Sequence, residues 1–542
     1  MNRYLLNPFG VLLALLFICS AAWSAEPSSI IQRILPSPSS IIVPKEGGVF
    51  RFSNTVSVCS IPEADDALSA LESRFNTAAG ISFTKIRTSS KAEILFKPAG
   101  RNDSLGTEGY MLNVSSHRII ITANSREGFF YAVQTILQLL PYQITGSAIR
   151  LGIRWEIPAV VIRDVPKYPW RSFMFDSGRQ FQTVDFIKHY LDILAQLKIN
   201  TFHWHLTEGQ GWRIEIKRYP KLTAIGSNVA QGAEQQGFYT QDDIKEIVEY
   251  ARKRCVTVVP EIDLPGHSEA ALIAYPEFSC SKRPPASVME YSSHLFCAGN
   301  ESTYTFIENI LNEVCTLFPA RYIHLGGDEA PKTIWDSCNA CQAKIRKQGL
   351  KNSHELQIYF SNRLANYLKE KNRMCILWGD VVEQAGPKLA ENVVIYWWNY
   401  RKKQTAAYDA AVANGYSVIC GPNYYTYLNF PVTPWSKYDQ DRTFDLRDAY
   451  EKNPADIPHP SALVLGMGSC LWTDWNVRMS MIDQRVFPRL LVLAEQMWSE
   501  KRIPFEKYYA NIKEYQYPRL LEQKIVIGPA LREEIPEGFR WE

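Results

Sequence analysis

Between residues 172 and 468, short β-rich runs alternate with helical stretches, and no other feature narrows the folding options of this chain as far. The runs are 172–176, 201–206, 257–262, 322–325, 374–378, 393–397, 417–420 and 463–468. Amphipathic stretches lie between most of them, for example 184–197, 241–254, 305–317 and 356–369, with apolar residues at helical spacing. Successive parallel strands need a crossover long enough to hold a helix, so the alternation predicts an α/β sheet. Doubly wound sheets usually announce a Gly-rich phosphate loop, and none is present. Eight strands with intervening helices therefore predict a (β/α)8 TIM barrel.

The preceding stretch has a different texture. Runs such as 109–114 and 118–122 are β-rich, and 67–78 and 128–140 are helical, the latter stopped by Pro141. Residues 25–165 are expected to form a small α+β domain, and residues 166–542 the barrel with a closing helix and tail. Residues 1–24 resemble a secretory leader: Arg3, a short apolar run over 9–19, then small residues at Ala22-Trp-Ser24. That run is too short to span a bilayer comfortably. Ile18 precedes Cys19 where a lipidated cysteine needs a small residue. The expectation is an exported protein, periplasmic or secreted, without an integral membrane span. A net charge of +3 over 542 residues, with no run of like charges, argues against nucleic acid as a partner.

The chemistry-bearing residues collect just after the predicted strands, which in a barrel form one mouth. The second strand leads into His203-Trp-His205-Leu-Thr-Glu208, the third into Glu261-Ile-Asp263-Leu-Pro-Gly-His267, and the fourth into Gly326-Gly-Asp328-Glu329. Later strands lead to Trp378, to Trp397-Trp398, to Tyr427-Leu-Asn429 and to Trp472-Thr-Asp474. Neighbouring side chains on a strand point to opposite faces, so Asp328 and Glu329 share a pocket only where the strand gives way, as the paired glycines permit. His203 and His205 alternate, face one side together and are expected to pack in a hydrogen-bonded layer. A mouth of Trp, Tyr and carboxylates suits a carbohydrate-cleaving site. The chain holds 14 Trp, 28 Tyr and 25 Phe, which fits both a large core and stacking on sugars.

Ten cysteines follow the leader, and export permits disulfides. Cys280 and Cys297 flank a loop and are placed to staple it. Cys338-Asn-Ala-Cys341 has the spacing of a redox or half-zinc motif, but no second CxxC or nearby His pair completes a zinc set. A disulfide or two inert thiols is expected there, with no metal and no cofactor.

The chain resembles a family 20 glycoside hydrolase, a β-N-acetylhexosaminidase. The resemblance is carried by Phe202-His-Trp-His-Leu206, Gln210-Gly-Trp-Arg213, Pro260-Glu-Ile-Asp-Leu-Pro-Gly-His267 and His324-Leu-Gly-Gly-Asp-Glu329, taken in order. In the first domain it is carried by Gly109-Tyr and Gly128-Phe-Phe-Tyr-Ala-Val-Gln134. It implies substrate-assisted hydrolysis, in which the sugar's 2-acetamido carbonyl attacks C1. By resemblance Glu329 is the acid and base, protonated before reaction, and Asp328 is the charged residue that orients the acetamido group. Arg171 would grip the 3- and 4-hydroxyls, and His267 would support the acidic pair. Trp378, Trp397 and Trp472 would wall the acetamido pocket, Tyr427 would bond the acetamido oxygen, and Asn429 and Asp474 would reach the 4- and 6-hydroxyls. The implied partners are amino-sugar glycans such as chitooligosaccharides, glycoconjugates or peptidoglycan fragments. Disaccharide-releasing or endo-acting cleavage, or carbohydrate binding without catalysis, are the alternatives. Glu208-Gly209 stands where Asp-Asp is common, Asp176-Ser-Gly-Arg-Gln180 replaces a more usual Asp-x-Ser-Arg-His, Ser172 follows Arg171 where Gly is common, and Asp474 is shorter than the frequent Glu.

Overall fold

All eight barrel strands consist largely of residues buried on both faces, the condition for a parallel sheet wrapped in helices. The structure is a computed structural model and describes residues 32–541 except 101, 102, 231, 233, 234, 289–291, 401–403, 440 and 454–460. The leader-like segment lies outside the described residues. Among the described residues seventeen strands are numbered in chain order. The first nine are β1 (Ser40–Ile42), β2 (Val49–Arg51), β3 (Thr55–Cys59), β4 (Ser82–Lys85), β5 (Ile94–Pro98), β6 (Tyr110–Val114), β7 (Ile119–Ala123), β8 (Glu156–Pro158) and β9 (Val160–Asp164). Seven of them form a mixed sheet in the order β1-β9-β6-β7-β5-β3-β4, and β2 pairs with β8. Two helices pack on each other beside this sheet, α1 (Asp65–Ala78) and α2 (Arg126–Leu139). Helix α2 is buried along its length from Gly128 because it is covered both by the sheet and by the barrel's first helix.

The barrel strands are β10 (Trp170–Asp176), β11 (Thr201–His205), β12 (Thr257–Glu261), β13 (Tyr322–His324), β14 (Met374–Trp378), β15 (Val393–Trp397), β16 (Ser417–Cys420) and β17 (Val464–Leu471). They close in sequence order, β17 pairing with β10 from Trp170–Gly466 to Phe175–Leu471. Each expected strand is present. The connecting helices include α3 (Val184–Gln196), α4 (Gln241–Arg252), α5 (Glu301–Leu317), α6 (Asn339–Gln348) and α7 (Ser353–Glu370), and α8 (Arg489–Trp498) closes the barrel. Their starts are capped as the sequence dictates. Thr183 accepts the Phe186 N–H, Thr240 and Asp243 form a capping box, and Asn300 accepts the Ser302 N–H.

A buried polar knot ties the two domains together. Asp164, at the end of β9, accepts from Lys198 Nζ (2.7 Å), Tyr110 Oη (2.8 Å) and Trp498 Nε1 (2.9 Å). Glu108 pairs in two-pronged fashion with Arg171, at 2.7 and 2.9 Å. These contacts lie at the N-terminal end of the barrel strands, so the opposite end is left for chemistry. No helix among the described residues is long and apolar enough to cross a membrane.

Candidate active site

Strand β13 stops at His324, and the chain turns through Gly326 (φ 64°) and Gly327 (φ 108°) to reach the two acids. Only glycine fits the first position. A Cβ on Gly326 would lie 1.7 Å from Asp263 Oδ1, the oxygen that accepts the Gly327 N–H at 3.2 Å. Glu329 itself adopts φ 46°, a left-handed conformation that costs a non-glycine residue about 1–3 kcal/mol and persists where surrounding structure enforces it. The turn brings both carboxylates to one atom. His267 Nε2 lies 3.7 Å from Asp328 Oδ2 and 3.9 Å from Glu329 Oε2. Asp328 is 8% exposed, whereas the Glu329 side chain is 35% exposed.

The imidazole is held from behind. His267 Nδ1 lies 3.1 Å from Glu208 Oε2, and Glu208 Oε1 pairs with Arg179 Nη2 at 2.6 Å. Burial disfavours charge on both groups. Even so, Arg179 and His267 hold Glu208 well below the usual carboxylate range, and Glu208 and Asp328 hold His267 well above the usual imidazole range. Asp328 goes the other way. Burial lifts it to about 7, with Asp380 and Glu329 adding to the rise and His267 opposing it. Burial likewise lifts Asp380 to about 6, against the Trp398 indole N–H that it accepts at 2.6 Å. The resemblance has Asp328 as the charged member of the pair; burial by itself favours its neutral form.

The acids open into a cavity of about 630 Å³. Its walls include Arg179, Asp380, Trp398, Tyr427, Trp472, Asn429, Tyr438 and Asp474. Tyr427 stacks on Trp398 with centroids 6.0 Å apart, and the Arg179 guanidinium lies 5.2 Å over Trp472. Away from the acid pair, Asn429 Nδ2 donates to Asp474 Oδ1 (3.1 Å) and to Tyr438 Oη (2.8 Å), and Tyr438 donates to Asp474 Oδ2 (2.7 Å). Burial raises Asp474 above its ordinary value. A cleft of about 750 Å³ at the other end of the barrel, around Trp170, Thr201 and Tyr322, lies far from these groups.

Two residues assigned from the sequence lie elsewhere. Arg171 sits at the start of β10, fully buried on Glu108 at the wrong end of the barrel. Arg179, beyond the end of the same strand, lines the cavity. Trp397 points outward from β15 and packs on Tyr408 and Tyr400, whereas Trp398 enters the cavity. The alternation of a strand makes a one-residue slip a change of face. Tyr396, one residue back, faces inward onto Trp378, which fixes that register. Trp378 is fully buried, 5.8 Å from Trp472.

Beneath the acids the expected histidine layer is present. Glu261 accepts from His203 Nε2 (2.8 Å), His205 Nδ1 (2.7 Å) and Trp378 Nε1 (2.7 Å). His324 Nδ1 accepts the Gly326 N–H at 3.0 Å, and burial holds this ring well below the usual imidazole range. With three ring N–H groups on its two oxygens, Glu261 is the hydrogen-bonding hub of this layer. All ten described cysteines are unbridged, and the staple expected between Cys280 and Cys297 is not formed.

A family model described as "Glycosyl hydrolase family 20, catalytic domain" matches residues 168–501, and "Glycosyl hydrolase family 20, domain 2" matches residues 32–165. The chain belongs to glycoside hydrolase family 20. Its barrel with a preceding small domain is the fold of that family. A β-hexosaminidase of Porphyromonas gingivalis is 37% identical over 411 residues, covering 73% of this chain and 51% of the relative. One of Vibrio furnissii is 34% identical, covering 72% and 66%. The chain thus spans about half to two thirds of the length of these curated relatives. The crystal structure of a β-N-acetylhexosaminidase from Bacteroides fragilis superposes with a TM-score of 0.85 at 46% identity, covering 94% of this chain and 99% of that one. A mutant Streptomyces plicatus β-hexosaminidase in complex with product (GlcNAc) gives a TM-score of 0.80 at 27% identity, covering 93% and 98%.

In this family 20 site the residues to which the sequence reading gave no role are Arg179, Glu208, Asp380, Trp398 and Tyr438. Glu208 already stands at the end of the second predicted strand and Arg179 in Asp176-Ser-Gly-Arg179, where nothing in the sequence showed that they pair with each other. Trp398 adjoins the residue chosen. Tyr438 lies on a long loop with no strand end to mark it.

Proposed function

We propose that this protein is an exo-β-N-acetylhexosaminidase that removes terminal non-reducing β-linked N-acetylglucosamine or N-acetylgalactosamine, with the sugar's own acetamido group as nucleophile. One observation carries the reading. Asp328 Oδ1 is buried in the cavity wall without a hydrogen-bond partner, beside the partly exposed Glu329. A buried acceptor left unpaired costs about 1–3 kcal/mol, and the N–H of an acetamido arm is the donor that satisfies it.

In this mechanism Asp328 accepts the acetamido N–H and aims the carbonyl oxygen at C1. Glu329 gives its proton to the leaving glycosidic oxygen as the oxazolinium closes, then takes a proton from the water that opens it. A nearby cation and an N–H donor both favour the ionised form of Asp328, so the carboxylate that burial lifts to about 7 is charged when substrate is in place. An anion about 4 Å from the developing charge, at an effective dielectric of about 20, is worth on the order of 4 kcal/mol, or about three orders of magnitude in rate. Trp398, Tyr427 and Trp472 enclose the acetamido arm, with the Tyr427 hydroxyl on its oxygen. Arg179 and the Asn429–Tyr438–Asp474 cluster receive the sugar hydroxyls. That cluster ends the cavity in polar groups suited to a terminal sugar, and the product complex of the Streptomyces plicatus relative supports an N-acetylglucosamine occupant. The leader-like segment supports action outside the cytoplasm, on chitooligosaccharides, glycoconjugates or peptidoglycan fragments.

The test compares p-nitrophenyl β-N-acetylglucosaminide with the plain β-glucoside. Substrate assistance predicts turnover of the first and almost none of the second, which lacks the internal nucleophile. Equal turnover of both refutes the mechanism. Product analysis on chitotetraose separates release of single sugars from release of disaccharides.

A further inference from the structure

Four cysteines that this chemistry does not use converge on one point. Cys280 and Cys297 come from the segment between β12 and α5, and Cys338 and Cys341 from the start of α6. Cys280 Sγ lies 3.8 Å from Cys341 Sγ, and Cys297 Sγ lies 3.8 Å from both Cys338 Sγ and Cys341 Sγ. All four sulfurs fall within 4.8 Å of one another. In a tetrahedral zinc tetrathiolate, Zn–S bonds of about 2.3 Å set the sulfur–sulfur edges at about 3.8 Å. A disulfide joins each sulfur to a single partner at about 2.05 Å. Here Cys297 and Cys341 each approach two others at the same distance, which is the pattern of a shared centre. We propose that Cys280, Cys297, Cys338 and Cys341 form a structural tetrathiolate site for a zinc ion.

The surroundings fit a thiolate cluster. Cys338 is the N-cap residue of α6, whose first-turn N–H groups have no side-chain cap, so a partial positive charge faces the sulfurs. A Cβ on Gly299 would lie 2.2 Å from the Ala340 carbonyl carbon and 2.3 Å from the Cys341 nitrogen. The backbone beside Cys297 therefore rests directly on the CxxC turn. Soft sulfur donors in this arrangement select zinc over hard cations, and four protein ligands leave no open position for catalysis. Binding releases the four thiol protons and forms four Zn–S bonds without electron transfer.

The position gives the site its use. One pair of ligands lies on the connection that carries His267 and Ser292, and the other lies just past the turn that carries Asp328 and Glu329. The ion would clamp these two connections together, next to the Trp335 Nε1 bond to the Phe296 carbonyl (3.0 Å).

Elemental analysis of the full chain, purified without chelator, tests the proposal. One zinc per chain is expected, with the denatured mass of four free thiols. Cobalt(II) exchanged into the protein is expected to give sulfur-to-metal charge-transfer and tetrahedral d–d bands, both lost in Cys341→Ser. A strong chelator is expected to lower Tm, and added zinc to restore it. A chain four hydrogens lighter and free of metal shows two disulfides and overturns the proposal. Four free thiols that take up no added zinc overturn it too. Neither measurement depends on whether Cys341→Ser folds, and neither reads the hydrolase activity.

Discussion

The Nε2 atom of His267 lies 3.7 Å from Asp328 Oδ2, and the ring is held there by Glu208 at its other nitrogen. A positively charged ring at this distance opposes the rise that burial imposes on Asp328, which ends at about 7. In free enzyme the acidic limb of kcat/KM therefore reports Asp328, with activity lost as pH falls through about 7. Replacing His267 by Asn removes the opposing charge and is expected to move that limb to higher pH. A pH profile of kcat/KM checks this, and an unmoved limb rules out the assignment.

Asp328→Asn has two opposite consequences. Hydrolysis of both activated and unactivated substrates is expected to fall by about three orders of magnitude, since the positioned charge acts in every case. Stability is expected to move the other way. A carboxylate whose folded pKa is raised, here from 3.8 to about 7, favours the folded state most when protonated, and that advantage is lost as pH rises through the folded value. The uncharged Asn escapes this loss. Thermal melts should show the variant gaining on wild type as pH rises from 4 to 8, and a constant difference would contradict the burial argument.

Glu329→Gln removes the proton donor of the proposed mechanism and leaves the substrate's nucleophile in place. Activity on unactivated glycosides is expected to drop by about 10²–10⁴-fold. Good leaving groups need less protonation, so activated phenyl glycosides should lose much less. Kinetics across a series of phenols of rising pKa would show a steeper dependence than wild type, and parallel lines would exclude the role.

Arg171 and Arg179 separate stability from binding. Arg171→Ala leaves Glu108 between the domains without the cation of its ion pair, and breaking a buried pair costs about 3–5 kcal/mol. A lower Tm with an unchanged KM is expected. Arg179→Lys retains charge but loses the fork that meets both Asp176 and Glu208, so a raised KM is expected at nearly wild-type Tm. If Arg171→Ala raised KM as much as Arg179→Lys, the two ends of the barrel would not be independent.

Trp397 and Trp398 make a similar pair. Trp398→Phe removes the indole N–H that opposes the rise of Asp380 and part of the ring facing Tyr427, so kcat/KM is expected to fall. Trp397→Phe alters only packing on the outer layer and is expected to leave kcat/KM intact while lowering Tm. Steady-state kinetics and melts on both variants decide it.

Periodicity along the chain determined the eight barrel strands, the order in which they close, and the loop where two adjacent acids share a cavity. It did so because strand alternation, helix spacing and glycine turns are local properties that a sequence states directly. The place of Asp328 and Glu329 at the cavity was legible for the same reason: they sit at a strand end that two glycines mark. Only the tertiary structure decided which arginine meets the cavity, which of two adjacent tryptophans faces it, that Glu208 anchors His267, and that Cys280 and Cys297 join a distant CxxC. Those outcomes depend on which end or face of a strand points where, and on segments brought together by barrel closure. Burial, which sets Asp328 near 7, exists only once the surrounding elements have excluded water.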